Sequence, residues 1–202
     1  MKKIFALVVA LVAAVSVNAQ SAGNMFFKPM VGATLSKYTS VDETKMKVGL
    51  VAGGELGYFA TNQLALTGGL LVSMQGSGYE NTSVTKDYST TATYINVPLL
   101  ANFYVAPGFA IKAGIQPGFL ISAKDKGKTN VAGSWQEFDH SGTDGMKTFD
   151  LSIPLGLSYE FSDFVIDARY NLGLSNLIDD DHTDYSQKNS VIMLTIGYKI
   201  PF

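Results

Sequence analysis

The side chains in this chain best placed to do chemistry are nine charges set into otherwise apolar segments: Lys28, Glu55, Lys112, Lys124, Asp150, Glu160, Asp167, Arg169 and Lys199. Five are basic and four acidic, and Arg169 is the only arginine. A planar guanidinium suits forked pairing with carboxylates better than an ammonium does. Charges gathered in a narrow interior must pair or be hydrated. The expected arrangement is a salt-bridge network, with a proton or ion path as the alternative.

Other candidates are weaker. The only histidines are His140 and His182. Asp139-His140-Ser141 holds the three residue types of a nucleophilic triad. In a triad the imidazole is bonded between two other groups, and consecutive residues cannot converge in that way. No catalytic residue is assigned, and the chain is not read as an enzyme. Asp179-Asp180-Asp181 with Asp184 offers oxygen ligands of the kind calcium takes, but not at the spacing of an EF-hand. A solvated acidic loop at 178–188 is expected there, with no metal site and no cofactor. The pairs Gly53-Gly54 and Gly68-Gly69 precede no helix and are expected to make room for long inward side chains or bends.

The elements that would position these charges alternate with a period of two. The clearest segment sets Phe149, Leu151, Ile153, Leu155, Leu157, Tyr159 and Phe161 against Asp150, Ser152, Pro154, Gly156, Ser158 and Glu160. Successive side chains of a strand point to opposite faces, so this is a strand with one wholly apolar face. The last segment repeats it, with Ile192, Leu194, Ile196, Tyr198, Ile200 and Phe202 opposite Val191, Met193, Thr195, Gly197, Lys199 and Pro201. Equivalent segments begin near residues 26, 48, 64, 95, 109 and 164, which makes eight. The connections alternate long and short: polar stretches at about 39–47, 79–90, 125–147 and 178–188, and tight turns such as Ala106-Pro107-Gly108.

Such a chain closes into an all-β, eight-stranded antiparallel up-and-down transmembrane barrel, with short periplasmic turns and long outer loops. The apolar row faces lipid and the charged row faces the lumen. Phe27, Tyr58, Phe103, Phe109, Tyr159, Phe161, Phe164, Tyr198 and Phe202 fall at the short-turn end as one aromatic girdle. Tyr38, Tyr79, Tyr94 and Phe149 form a looser second set. The sole tryptophan, Trp135, is expected to anchor the longest loop at the outer interface. Lys124 and Asp150 flank that loop, share the inward parity and are expected to meet at its base. Lys28 and Lys199 would face each other where the first and last strands close the barrel. Their expected partners are Glu55 and Glu160.

Residues 1–19 read as a secretory signal peptide: Lys2 and Lys3, an apolar run over 4–17, then the small-residue site Val17-Asn18-Ala19. Residues 20–202 are the barrel domain. Losing the leader takes the formal charge from −2 to −4, which argues against nucleic-acid binding. The absence of cysteine excludes a disulfide framework and a lipoprotein anchor.

Several motifs resemble the outer-membrane β-barrel family common in Bacteroidetes, the PorT-like or "porin family" group. They are Tyr94-Ile95-Asn96-Val97-Pro98-Leu99-Leu100, Gly114-Ile115-Gln116-Pro117-Gly118, Gly156-Leu157-Ser158-Tyr159-Glu160-Phe161, Arg169-Tyr170-Asn171-Leu172-Gly173-Leu174 and Ile196-Gly197-Tyr198-Lys199. The resemblance covers nearly the whole mature chain. It implies an eight-stranded barrel in the cell outer membrane, with no catalytic residues shared across the family. It also implies that Phe202 closes a terminal signal read by the outer-membrane insertion machinery. The expected partners are outer-membrane lipid and that machinery, with any extracellular or periplasmic protein partner unspecified. The expected role is a structural or interaction protein presenting long outer loops. A small porin-like solute channel is the alternative, and a barrel enzyme acting on lipid or peptide a more distant one.

Overall fold

The computed structural model describes residues 22–39, 44–143, 145–178 and 187–202. The strands are β1 (Met25–Thr39), β2 (Thr44–Lys45), β3 (Lys47–Phe59), β4 (Leu64–Tyr79), β5 (Thr85–Asn96), β6 (Leu99–Ala106), β7 (Phe109–Val131), β8 (Ser134–Ser141), β9 (Phe149–Phe161), β10 (Phe164–Gly173), β11 (Lys188–Tyr198) and β12 (Ile200–Pro201). They form one antiparallel ring of eight staves. β5 and β6 make one stave interrupted at Val97-Pro98, and β11 and β12 make another. The ring closes where β1 pairs β11, from Met30↔Gly197 to Thr39↔Lys188, and β12, at Phe27↔Ile200. Closure leaves the wall without unpaired edges, as a strand structure crossing hydrocarbon must.

Each stave keeps the period of two. Val31, Leu50, Leu66, Leu99, Ile111, Leu155, Ile166 and Leu194 are exposed around the outside. Lys28, Glu55, Thr67, Asn102, Lys112, Ser158, Asp167, Arg169 and Thr195 are buried inside. An apolar belt of this extent has no stable place in water and marks the lipid-facing surface. Glycines let the interior close. A Cβ on Gly57 would lie 2.1 Å from the Phe26 ring, and one on Gly69 would lie 2.7 Å from Cγ of Glu55.

The staves do not all end at the membrane. The stretch 125–147, expected as the longest loop, is largely sheet: β7 continues to Val131 and returns as β8. Ala132 and Gly133, with φ of 51° and 86°, make the two-residue turn, the positive-φ pair that matches strand twist. β5 likewise begins at Thr85, inside the stretch expected as a loop. Both faces of these extensions are polar enough to hide the alternation. Tyr38 and Tyr94, expected in an outer aromatic set, instead point inward and are almost fully buried.

A β-bulge changes the reading of β7. Tyr94 pairs Leu120 but Thr93 pairs Ser122, so Ile121 is the extra residue. Ile121 and Ser122 are both exposed, and Ala123 is the next buried position. Every residue beyond the bulge is therefore on the opposite face from the one that unbroken alternation assigns.

Candidate functional site

The lumen is layered. At the short-turn end, Phe26 of β1, Phe59 of β3 and Tyr104 of β6 pack together, with ring centroids 5.6 Å apart in each of the two contacts. Lys199 enters this group from the link between β11 and β12. Its ammonium lies 4.5 Å from the Phe26 centroid, 4.8 Å from Phe59 and 5.6 Å from Tyr104. Cations favour such ring faces, most strongly where water is thinned. The same ammonium donates to both oxygens of Glu160, at 2.9 and 2.8 Å, and the Tyr104 hydroxyl donates to Oε1 at 2.5 Å. A lysine, a carboxylate and three rings from five staves thus gather at the short-turn end of the lumen.

Above it lies the charged layer. Lys28 Nζ is 2.8 Å from Glu55 Oε2, and Arg169 Nη2 is 2.6 Å from Glu55 Oε1. Arg169 also holds Asp167 from Nε at 2.6 Å and from Nη2 at 3.1 Å. Lys112 donates to Asp167 Oδ2, and Lys28 lies 3.8 Å from the same oxygen. All five side chains are 5% exposed or less. Three cations and two carboxylates from β1, β3, β7 and β10 therefore span the interior. Met30, Val51, Leu71 and Met193 pack as an apolar layer alongside. Farther out, Ser73 accepts from Gln75 and from Asn96, and Asn189 donates to Asp150 at 2.8 Å.

Lys124 is not part of this interior. The bulge at Ile121 turns it outward, where its side chain is 42% exposed and its ammonium lies 3.1 Å from Asp139. The expected Lys124–Asp150 contact is absent, because Asp150 remains in the lumen with Asn189. Asp125, absent from the sequence-derived set, takes the inward position and accepts a 2.6 Å hydrogen bond from Thr90. Without Lys124 the sequence-derived inward set keeps four basic residues (Lys28, Lys112, Arg169, Lys199) and four acidic ones (Glu55, Asp150, Glu160, Asp167), to which Asp125 adds a fifth acid.

The aromatic cage was also missed by sequence reasoning. The signal for it was available, since Phe26, Phe59 and Tyr104 share parity with Lys28, Gly57 and Asn102. Asp139, His140 and Ser141 run along β8, where side chains alternate between faces. Asp139 pairs Lys124 and Lys126, while His140 stands opposite Asp125. His182, Asp179, Asp180, Asp181 and Asp184 lie outside the described residues, as does the expected leader.

A closed ring with an apolar exterior and a lumen lined by buried ion pairs defines an integral outer-membrane β-barrel protein. The chain belongs to the outer membrane protein beta-barrel domain family, whose model matches residues 9–179. It resides in the outer membrane, in contact with its lipid. Among curated proteins none matches this chain. Among solved structures it is similar to Ail, the attachment invasion locus protein of Yersinia pestis, at 17% identity, covering 89% of this chain and 99% of that one, with a TM-score of 0.49. It is also similar to Neisserial surface protein A at 12% identity, covering 88% and 97%, with a TM-score of 0.42. The outer membrane protease OmpT from Escherichia coli matches at 9% identity, covering 95% and 100%, with a TM-score of 0.37. Likeness of this degree identifies no activity.

Proposed function

We propose that this protein is a closed, non-enzymatic barrel whose membrane part is a scaffold and whose outward extensions make the functional contacts. The observation that carries this reading is the set of buried ion pairs that bridges strands across the lumen. Eight staves enclose a space only wide enough for side chains or one small ligand. Here it is crossed by the Lys28–Glu55–Arg169–Asp167–Lys112 layer and floored by the Lys199 cage. Moving a hydrated solute through would require separating buried ion pairs, which costs several kcal/mol per uncompensated charge.

The same reading includes membership of the PorT-like subgroup common in Bacteroidetes and removal of residues 1–19 on export. It also includes recognition of the strand ending at Phe202 by the outer-membrane insertion machinery. The subgroup and the role of Phe202 rest on the resemblance of the motifs quoted above, and the leader on its own residue pattern.

Single-channel recording of the refolded protein in planar bilayers tests the closed lumen. The expected result is no steady conductance, with an increase when Arg169 and Glu55 are both replaced by alanine. A large, stable wild-type conductance would establish the porin-like alternative instead.

A further inference from the structure

The extension of β5, β7 and β8 carries a row of cations that neither the lumen nor the wall uses. Beyond the bulge, Lys124, Lys126 and Lys128 stand at alternate positions of β7 on its outward face. There they continue the line of the lipid-facing Phe119 and Ile121. Lys86 of β5 pairs in register with Lys128, and its ammonium lies 4.2 Å from the ring of Trp135 on β8. Across the hairpin stand Glu137 opposite Lys128 and Asp139 opposite Lys126. Asp139 serves two lysines, at 3.1 and 3.5 Å, and Glu137 serves one at 3.2 Å. Four lysines against two carboxylates leave an excess of two positive charges, and one positive charge remains if Asp87 in the adjoining β5 bulge is counted. The three ion-paired β7 lysines stay 41–60% exposed.

The opposite face of the same hairpin is different in kind. Tyr88 stacks on Tyr79 at 4.7 Å and meets Phe138 at 5.9 Å, over Gly127. The extension therefore has an aromatic inner face toward the barrel mouth and a cationic outer face above the lipid belt.

We infer that this outer face, built from Lys86, Lys124, Lys126 and Lys128 around Trp135, is a docking surface for the phosphate-bearing headgroups of the surrounding outer-leaflet lipid. One observation and two general properties of such barrels favour that occupant. The bulge makes the lysine row collinear with the hydrocarbon-facing row, so the two surfaces are continuous. Strands of such barrels tilt by roughly 35–45°, so their extensions lean over the adjacent leaflet. Lysine stems can lie along an apolar wall while their heads reach phosphates, and tryptophan favours the same interfacial depth. The inference rests on placing the long-connection end outside, but not on a closed lumen.

Trp135 is the only tryptophan in the chain and so reports on this surface directly. The full mature protein is folded into vesicles of zwitterionic phosphatidylcholine, with or without lipid A monophosphate, and its insertion is checked by gel mobility before and after boiling. The phosphorylated lipid is expected to shift Trp135 emission to shorter wavelength and to lower its quenching by acrylamide. High salt should reverse both changes, since exposed charges are screened. In a Lys124→Gln/Lys126→Gln/Lys128→Gln variant the response should vanish while gel mobility stays unchanged. If that variant does not fold, Lys126→Gln alone should weaken the response. Equal emission in both vesicle types, or an undiminished response in inserted variants, would overturn the inference. So would the same shift from inorganic pyrophosphate added to phosphatidylcholine vesicles, which would identify a soluble-polyanion site. Conductance recording remains a separate readout, so failure of this surface and failure of the closed-lumen reading are distinguishable.

Discussion

Arg169 of β10 and Glu55 of β3 meet across the lumen at 2.6 Å, with both side chains fully shielded from solvent. Their staves are not neighbours in the ring, because β1 and the β11–β12 stave lie between them. The contact is therefore a strut through the interior rather than a rung within the sheet. Glu55 also accepts Lys28, and Arg169 also forks onto Asp167. Loss of either member leaves charge of one sign stranded where water has no ready access.

Replacement of Glu55 by glutamine should accordingly cost about 3–5 kcal/mol, the range for breaking a buried pair from one side. It would leave Asp167 as the one carboxylate paired with Lys28, Lys112 and Arg169 among the described residues. Urea unfolding from lipid vesicles checks this, with Glu137→Gln on the exposed hairpin as the control expected to change little. Equal stability for the two variants would mean that the network is hydrated rather than sealed.

The two faces of β9 predict opposite failures at adjacent positions. Leu155 faces lipid near the middle of its stave, so Leu155→Arg should destabilise insertion by about 2–4 kcal/mol, the cost of a midplane charge. Gly156 faces the lumen, where a Cβ would come within 2.6 Å of the Ala168 carbonyl oxygen and 3.0 Å of Cγ of Arg169. Gly156→Ala should cost about 1–3 kcal/mol through overpacking. Shortening Arg169 should partly relieve the second loss and leave the first unchanged.

At the carboxyl end, the Phe202 amide donates to the Met25 carbonyl at 3.1 Å, while the residue as a whole is 69% exposed. Deleting Phe202 should lower refolding stability in detergent by only about 0.5–1.5 kcal/mol, the worth of one such hydrogen bond. The level of inserted protein in cells should fall much further if the terminal aromatic is read during assembly. Immunoblots of outer-membrane fractions compared with in vitro refolding yields measure the two effects separately. Wild-type insertion after the deletion would remove the recognition role.

The outer hairpin should respond to acid. The ammonium of Lys124 bonded to Asp139, with Lys126 beside it, holds that carboxyl below its usual range. Because the folded value is the lower one, the pairing stabilises the hairpin fully above the unfolded value. That contribution is lost as pH falls through the folded value. Protection factors of the β8 amides, which compare exchange with the intrinsic rate at each pH, should therefore fall on acidification below the ordinary carboxylate range. Asp139→Asn should already exchange faster at neutral pH and show a flatter profile.

Alternation with a period of two was sufficient to read the eight staves, their lipid-facing and inward rows and the order of long and short connections, because a strand face is a local property. Hence Leu155 and Asp150, or Ile166 and Asp167, could be assigned to opposite sides without knowledge of their neighbours. Lys124 could not, because one extra residue at Ile121 reverses parity, and whether β7 accommodates that residue depends on its pairing with β5. The extensions of β5, β7 and β8 were illegible for a related reason: above the membrane both faces meet polar surroundings, so no apolar row marks them. Parity also assigned Lys28, Glu55, Asp167 and Arg169 to the interior, but a face is not a position. Only closure of the ring, with its stagger and with glycines such as Gly57 and Gly69 admitting Phe26 and Glu55, decided that Arg169 reaches Glu55 and that Lys199 settles among three rings.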